Sequence, residues 1–302
     1  MVARVLILGG EGMVGHKVFQ ILSQRFDTCV TFRNPRGLWA HHPLYADVPR
    51  TQTLGSVDAR HFDSVAQALE RVVPEAVVNC IGIVKQRAEA QMPIPSIQVN
   101  ALFPHLLADF CADHGVRLIH LSTDCVFSGS RGRYAEDNPP DPVDLYGRTK
   151  LLGEPDGPGC LTLRTSVVGW ELKQRTGLLE WFAAQRGRTI KGYRQAIYTG
   201  LSTTALAGLI GDILATWPDL DGLYHVASSP ITKYDLLLRM RDALGWQDIN
   251  IEPDDQFHCD RSLVGLRFEA ATGWQSPDWD EMIAGLAAEW PTYEQWRNQI
   301  SA

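Results

Sequence analysis

The sequence predicts an α/β protein built on a doubly wound parallel sheet. Three observations carry that prediction. Short apolar runs are continuous rather than alternating, amphipathic segments separate them, and a glycine cluster stands directly after the first run. A strand covered on both faces reads as an unbroken apolar run because neither face meets water. Parallel neighbours need a crossover between them, and a helix is the usual one. Val5-Leu-Ile-Leu8 is the first buried strand, Val14 to Leu22 the first helix, and Cys29-Val-Thr-Phe32 the second strand. Val65 to Val72 is helical and Ala76-Val-Val-Asn-Cys-Ile81 a strand. Asn100 to His114 is a helix and Arg117-Leu-Ile-His-Leu121 a strand. Leu145 to Glu154 is a helix, followed by the strand Cys160-Leu-Thr-Leu-Arg164.

Beyond residue 165 the pattern is less regular. Gly177 to Arg186 and Thr203 to Trp217 read as helices, and Gly222-Leu-Tyr-His-Val226 as a strand. Thr232 to Leu244 is a helix with Thr232 as its N-cap, and Trp279 to Trp290 is another. No internal repeat, low-complexity tract or long linker interrupts the chain.

Composition narrows the class. The chain has 302 residues, 45% hydrophobic and 21% charged, enough for a large buried core in a globular protein. A net charge of −7 gives no reason to expect a nucleic-acid or anionic-membrane partner. No run approaches the roughly 20 apolar residues of a membrane span. The first apolar run is too short for a signal peptide and ends in glycines rather than a cleavage site. Cys29, Cys80, Cys111, Cys125, Cys160 and Cys259 form no C-x-x-C pair and show no metal-ligand spacing. They read as reduced, partly buried thiols of a cytoplasmic protein. No metal is expected: His41-His42 reads as a solvated loop pair, His225 lies on a strand, and His258-Cys259 lacks partners at ligand spacing.

Gly9-Gly-Glu-Gly12-Met13-Val14-Gly15 contains G-x-G-x-x-G from Gly10, placed between a strand and a helix. Glycines there let the backbone turn tightly and approach a pyrophosphate, which the helix N-terminus holds through its unpaired N–H groups and dipole. Gly9, Gly12, Met13, Val14 and Gly15 are therefore expected at a dinucleotide cofactor. Residues 1–165 are expected to form the dinucleotide-binding Rossmann domain. Residues 166–302 are expected to be mainly a substrate-binding cap, with segments returning to the sheet. Cys80, Ile81 and Gly82, at a strand's carboxyl end, are expected to border the same cofactor. After the second strand comes Thr31-Phe-Arg33-Asn-Pro-Arg36, with two arginines and no acid. Arginine suits a 2′-phosphate, so NADPH is favoured, with NADH as the second choice. Asp58 precedes the helix near Phe62 and either caps it or contacts adenine.

Tyr146-Gly-Arg-Thr-Lys150 places a phenol and an ammonium on one helix face. A hydride delivered to a carbonyl carbon leaves an alkoxide, so such a site needs a positioned acid. Free tyrosine, with a pKa of about 10, is poorly matched to neutral pH, and a nearby cation favours its phenolate. Lys150 would supply that cation and reach ribose hydroxyls. Thr123 follows the strand Arg117–Leu121 at a carboxyl end, where its hydroxyl would hold a substrate oxygen. Asn100 either supports the lysine through a water or caps the helix that follows. Lys191 and Arg194 read as surface residues or as a site for the substrate diphosphate, and the later tryptophans as core or cap packing, with one or two open to stacking on a nucleotide base.

These residues resemble the extended short-chain dehydrogenase/reductase superfamily, and within it the dTDP-4-dehydrorhamnose reductase family. The resemblance rests on the glycine turn, on Ser122-Thr-Asp-Cys-Val-Phe-Ser-Gly129, and on the stretch from Tyr134 to Glu154. It implies Thr123, Tyr146 and Lys150 as the catalytic set. It further implies NAD(P)H-dependent reduction of the C4 ketone of a nucleotide-linked 4-keto-6-deoxy sugar, in polysaccharide biosynthesis, and is compatible with a homodimer. Three departures fall where the sugar should lie. Val167 stands where the family commonly has tryptophan, Cys125 where it has tyrosine, and Arg194–Thr203 where it has Asp-Gln-x-Gly-x-Pro-Thr. A nucleotide-sugar epimerase or dehydratase and a non-catalytic NADP-binding regulatory subunit are the alternatives. Related dehydratases follow Thr-Asp with a glutamate, where this chain has Cys125.

Overall fold

The computed structural model describes residues 3–35, 37, 39, 41–173 and 176–301, with side chains for all but 300 and 301. Arg36, one of the two arginines weighed for the cofactor, lies outside them. The chain runs through β1 (Arg4–Leu8), α1 (Met13–Leu22), β2 (Asp27–Thr31), β3 (Thr53–Leu54), α2 (Phe62–Val72) and β4 (Ala76–Asn79). It continues through α3 (Pro93–Ser96), a π-helical turn at Ile97–Leu102, α4 (Phe103–Asp113), β5 (Arg117–Thr123), α5 (Leu145–Leu152) and β6 (Cys160–Thr165).

Seven strands form one parallel sheet in the order Gly222–His225, β6, β5, β4, β1, β2, β3. The chain order reverses between β1 and β4, and the carboxyl ends of these two strands are where a doubly wound sheet binds ligands. Successive side chains alternate between two cores. Val5, Ile7, Val30 and Ile119 point into one, and Leu6, Leu8, Cys29 and Leu118 into the other. Burial on both faces is why the strands read as continuous apolar runs.

The helix expected from Asn100 begins at Pro93 and passes through the π-helical turn. Proline is tolerated there because a first-turn N–H has no helical partner to lose. The helix expected to stop at Trp290 continues through Pro291 to Ser301. β3, an edge strand of two residues, is too short to show a period.

The later residues build small sheets at the carboxyl edge. Thr189–Tyr193 pairs with Asn250–Asp254, and Ala196–Tyr198 lies between Ile231–Thr232 and Cys259–Asp260. The helix Lys233–Leu244 starts as expected at Thr232, whose hydroxyl accepts the Asp235 N–H at 3.0 Å. No helix of the described residues is long and apolar enough to cross a membrane.

Candidate active site

The glycine turn is built for close approach. Gly9 sits at φ +91°, in the left-handed region, and its carbonyl accepts the Gly12 N–H at 3.0 Å. A Cβ on Gly15 would stand 2.2 Å from the Gly9 oxygen, so glycine is what lets α1 begin against the turn. No side chain caps α1 at Gly12 and its first turn carries no acid. Its leading N–H groups are therefore open to an anion. Glu11 fixes the turn from outside. Its carboxylate accepts the Asn34 N–H and the Trp39 Nε1–H, each at 3.0 Å, and pairs with Lys173. Burial pushes this carboxyl up, but those bonds outweigh it and hold the group below its ordinary value.

Two cavities meet at this turn. The smaller, about 130 Å³, is lined by Gly9, Gly12, Arg33, Asp58, Cys80, Ile81 and Gly82, joined by Arg60 and Arg87. The larger, about 520 Å³, runs past Gly12, Met13 and Val14 to Asp124, Cys125, Ser166, Tyr198 and Arg261. Glu11, Gly12, Cys80, Gly82 and Arg87 line both. The Nε of Arg87 is buried with no hydrogen-bond partner. Burial lowers its guanidinium pKa, and the charge of Arg33 lowers it further. Two neighbouring cations, one with an orphaned donor, match a phosphorylated dinucleotide laid across the turn. Asp58 does not cap α2, whose N-cap is His61 without a side-chain bond. Its carboxylate grips Arg60 at the cavity mouth instead.

The reactive side chains come from β5 and α5. The Thr123 hydroxyl accepts the Cys125 N–H at 3.1 Å and donates to Asp124 at 3.2 Å. Asp144 caps α5 by accepting the Gly147 N–H at 2.8 Å. A Cβ on Gly147 would stand 2.2 Å from the Cys125 oxygen, so glycine brings this helix against the end of β5. Tyr146 is half-buried there, beside Thr123. Burial raises its pKa, with Cys125 adding to the effect and Thr123 opposing it, so the phenol holds its proton at neutral pH. One turn on, Lys150 donates to the Leu121 carbonyl at 2.7 Å and lies 3.3 Å from His120 Nε2. Burial lowers its pKa to about 8 against the pull of Glu154.

Thr123, Tyr146 and Lys150 are thus brought together. They stand just behind the cavity wall, whose nearest lining residues are Asp124 and Cys125. Burial, then Asp124, pushes the Cys125 thiol up to about 12, so it is not a base at neutral pH. Asn100 is buried in the π-helical turn, where its Oδ1 accepts the Ile83 N–H at 2.8 Å and its Nδ2 donates to the Ile83 carbonyl at 3.0 Å. It does not cap the helix, and it binds the loop after β4 to the helix beneath.

Other residues lie apart from the site. Lys191 and Arg194 pair with Asp254 and Asp255 on the surface. Trp170 is fully buried and donates to the Leu286 carbonyl at 2.8 Å. His42 is not a solvated loop residue. It is buried among Trp39, Tyr45 and Trp296, because the loop folds back over the first core. Among the described residues, no cluster of three His, Cys, Asp or Glu side chains could hold a metal ion. Sequence reasoning missed Glu11, Arg60, Arg87, His120 and Lys173. Glu11 occupies a free position of the glycine motif, and the others belong to no motif.

A parallel sheet with a glycine turn at its switch point and a Thr–Tyr–Lys set on β5 and α5 defines a short-chain dehydrogenase/reductase fold of the extended type. Residues 3–262 match the family described as the RmlD substrate binding domain, and the chain belongs to that family. A relative from Haloferax volcanii, the "Probable low-salt glycan biosynthesis reductase Agl14", is 26% identical over 95% of this chain and 98% of its own. The "dTDP-4-keto-6-deoxy-D-glucose reductase" of Streptomyces niveus is 33% identical over 51% of this chain and 47% of its own. The "Methionine adenosyltransferase 2 subunit beta" of Xenopus tropicalis is 24% identical over 83% of this chain and 75% of its own. Among solved structures, the dTDP-4-dehydrorhamnose reductase of Bacillus anthracis in complex with NADP shares the fold at a TM-score of 0.77. It is 20% identical, over 96% of this chain and 100% of that one.

Proposed function

We propose that this chain is an NADPH-dependent reductase of the C4 ketone of a nucleotide-linked 4-keto-6-deoxy sugar, working in the cytoplasm. In this reading residues 1–165 hold the cofactor and residues 166–302 mainly hold the substrate. The observation that carries it is Tyr146 placed beside Thr123, one helical turn from buried Lys150, next to a cavity continuous with the glycine turn. A bound nicotinamide supplies the hydride. Tyr146 gives its phenolic proton to the carbonyl oxygen, so C=O becomes CH–OH. Thr123 holds that oxygen as charge develops, and Lys150 favours the phenolate left behind. Arg33, Arg60 and Arg87 hold the phosphates of the cofactor.

Cys125 separates this reading from dehydration and epimerisation. A thiol whose pKa is pushed up to about 12 does not do a glutamate's acid–base work at neutral pH. The names of the Haloferax and Streptomyces relatives, both reductases, support the same reading. The methionine adenosyltransferase subunits among the relatives favour a second reading, an NADP-binding regulatory subunit. The two part on turnover. NADPH oxidation is followed over dTDP-, UDP- and GDP-linked 4-keto-6-deoxy sugars, with the product's stereochemistry determined. Oxidation with one of them is expected, and NADPH binding without turnover on any would move the assignment to the regulatory subunit.

A further inference from the structure

Behind the reactive face, three buried side chains run in series from β4 to α5. The Ile81 N–H donates to Asn79 Oδ1 at 3.1 Å, which leaves Asn79 Nδ2 facing His120 Nδ1 at 3.0 Å. His120 Nε2 lies 3.3 Å from Lys150 Nζ, which donates to the Leu121 carbonyl at 2.7 Å. Asn79 and His120 are 1% and 0% exposed, so no bulk water rescues a mismatched pair.

The polarity of the series follows from its first member. An amide oxygen occupied by a backbone N–H must present its NH₂ to the imidazole. His120 Nδ1 is then the acceptor, and the single proton of the neutral ring is on Nε2. That N–H points at Lys150. An ammonium has three N–H groups and no lone pair, so it meets His120 donor against donor. A free amine accepts from Nε2–H while still donating to Leu121.

We propose that His120, locked by Asn79 with its proton on Nε2, is a positioning residue that selects the free-amine form of Lys150 over the ammonium. The inference rests on the reading of Lys150, in its ammonium form, as the group that favours the Tyr146 phenolate, so that selecting the amine sets an upper pH limit on that role. The surroundings agree with it. Burial, with the charges of Lys150 and His105, holds the His120 pKa well below its ordinary value, so the ring carries one proton. The opposing charge near Lys150 is Glu154, just past the end of the same helix, and the buried Arg164 neutralises that carboxylate bidentately. Asp124 and Cys125 face Tyr146 rather than the lysine. Lys150 is thereby kept near balance between amine and ammonium, and the alkaline limit of turnover falls where that balance lies.

The test reads the protons directly. In the wild-type protein, ¹⁵N shifts of His120 should show a bare Nδ1 and a protonated Nε2 at neutral pH. The opposite tautomer would overturn the proposal. The six lysines of the chain allow [¹³Cε]-lysine labelling, with Lys150→Arg to assign the signal. In Asn79→Asp a carboxylate accepts the Nδ1 proton, the Nε2 lone pair faces Lys150, and the ammonium is favoured. Its titration, and the alkaline limb of the NADPH-oxidation profile, should move up together by a unit or more, a tenfold change in the amine–ammonium ratio. A merely structural role would lower the rate at every pH and leave the titration in place, which sinks the idea. If Asn79→Asp does not fold, the wild-type tautomer decides alone. Full turnover in Lys150→Met would instead remove the catalytic reading of Lys150 and leave the two proton measurements standing.

Discussion

Lys150 is 5% exposed, and the folded chain holds its pKa near 8 against an ordinary 10.5. The sign of the consequence is fixed by linkage. Below pH 8 both states carry the proton, and folding bears the full cost of burying it. Between the two values only the unfolded chain keeps the proton, so stability rises with pH. At about 1.4 kcal/mol per unit, the cost is on the order of 3 kcal/mol. Urea unfolding of the wild type should therefore gain on Lys150→Met as pH is raised from 8 to 10.5, and a constant difference would show that Lys150 is not depressed. Tyr146 carries the other single-residue expectation. Tyr146→Phe removes the acid and leaves the ring, so turnover should fall by about 10²–10⁴-fold while NADPH titration of fluorescence is unchanged. A variant with full turnover would place the proton donor elsewhere. Tyr146, Lys150 and Thr123 were legible in the sequence because their spacing is a helical turn and a strand end. His120 was not, because an apolar run hides what a side chain within it meets across the sheet.

Between elements, the position of α5 is set by backbone approach as much as by side chains. A Cβ on Gly153 would stand 1.8 Å from the Asn100 carbonyl oxygen, so the end of this helix lies directly on the π-helical turn. Gly153→Ala must push that turn or the helix away. Overpacking of this kind costs about 1–3 kcal/mol, more than the few tenths to 1 kcal/mol gained by stiffening the unfolded chain. The variant should melt lower and turn over more slowly, since Lys150 rides on the displaced helix. Gly208, inside the helix Thr203–Thr216, has open space where its Cβ would be. Gly208→Ala should be stabilising by up to about 1 kcal/mol, and equal effects at the two sites would contradict the packing account. The same contrast explains what the sequence could reveal. Strand and helix periods gave every strand of the main sheet except β3, and the helices of the first half to within a few residues, apart from the early start at Pro93. Local approach between elements leaves no period to read. Asn100 looked like a cap and instead clamps Ile83, because its partners come from the loop after β4 and from α5 rather than from its own helix.

At the scale of the whole molecule, the glycine turn and the later residues are joined through Glu11, which pairs with Lys173 along the wall of the larger cavity. The Arg33, Arg60 and Arg87 side chains complete the other end of the same trough. A ligand spanning both ends stabilises the folded chain in proportion to its affinity, by about 2.7 kcal/mol at one hundred times its dissociation constant. NADPH and NADH differ only by the 2′-phosphate, so their difference in melting shift isolates the group that Arg33 is assigned to hold. A charge-assisted bond of that kind contributes about 1.5–3 kcal/mol, which corresponds to roughly a 10- to 150-fold change in affinity. NADPH should raise the melting temperature of the wild type more than NADH at equal concentration. Arg33→Ala should bring the NADPH shift down towards that of NADH and leave the NADH shift where it was, because no other part of the trough is touched. Loss of both shifts together would mean that Arg33 shapes the cavity rather than reading the phosphate. Loss of neither would pass that role to Arg60 and Arg87.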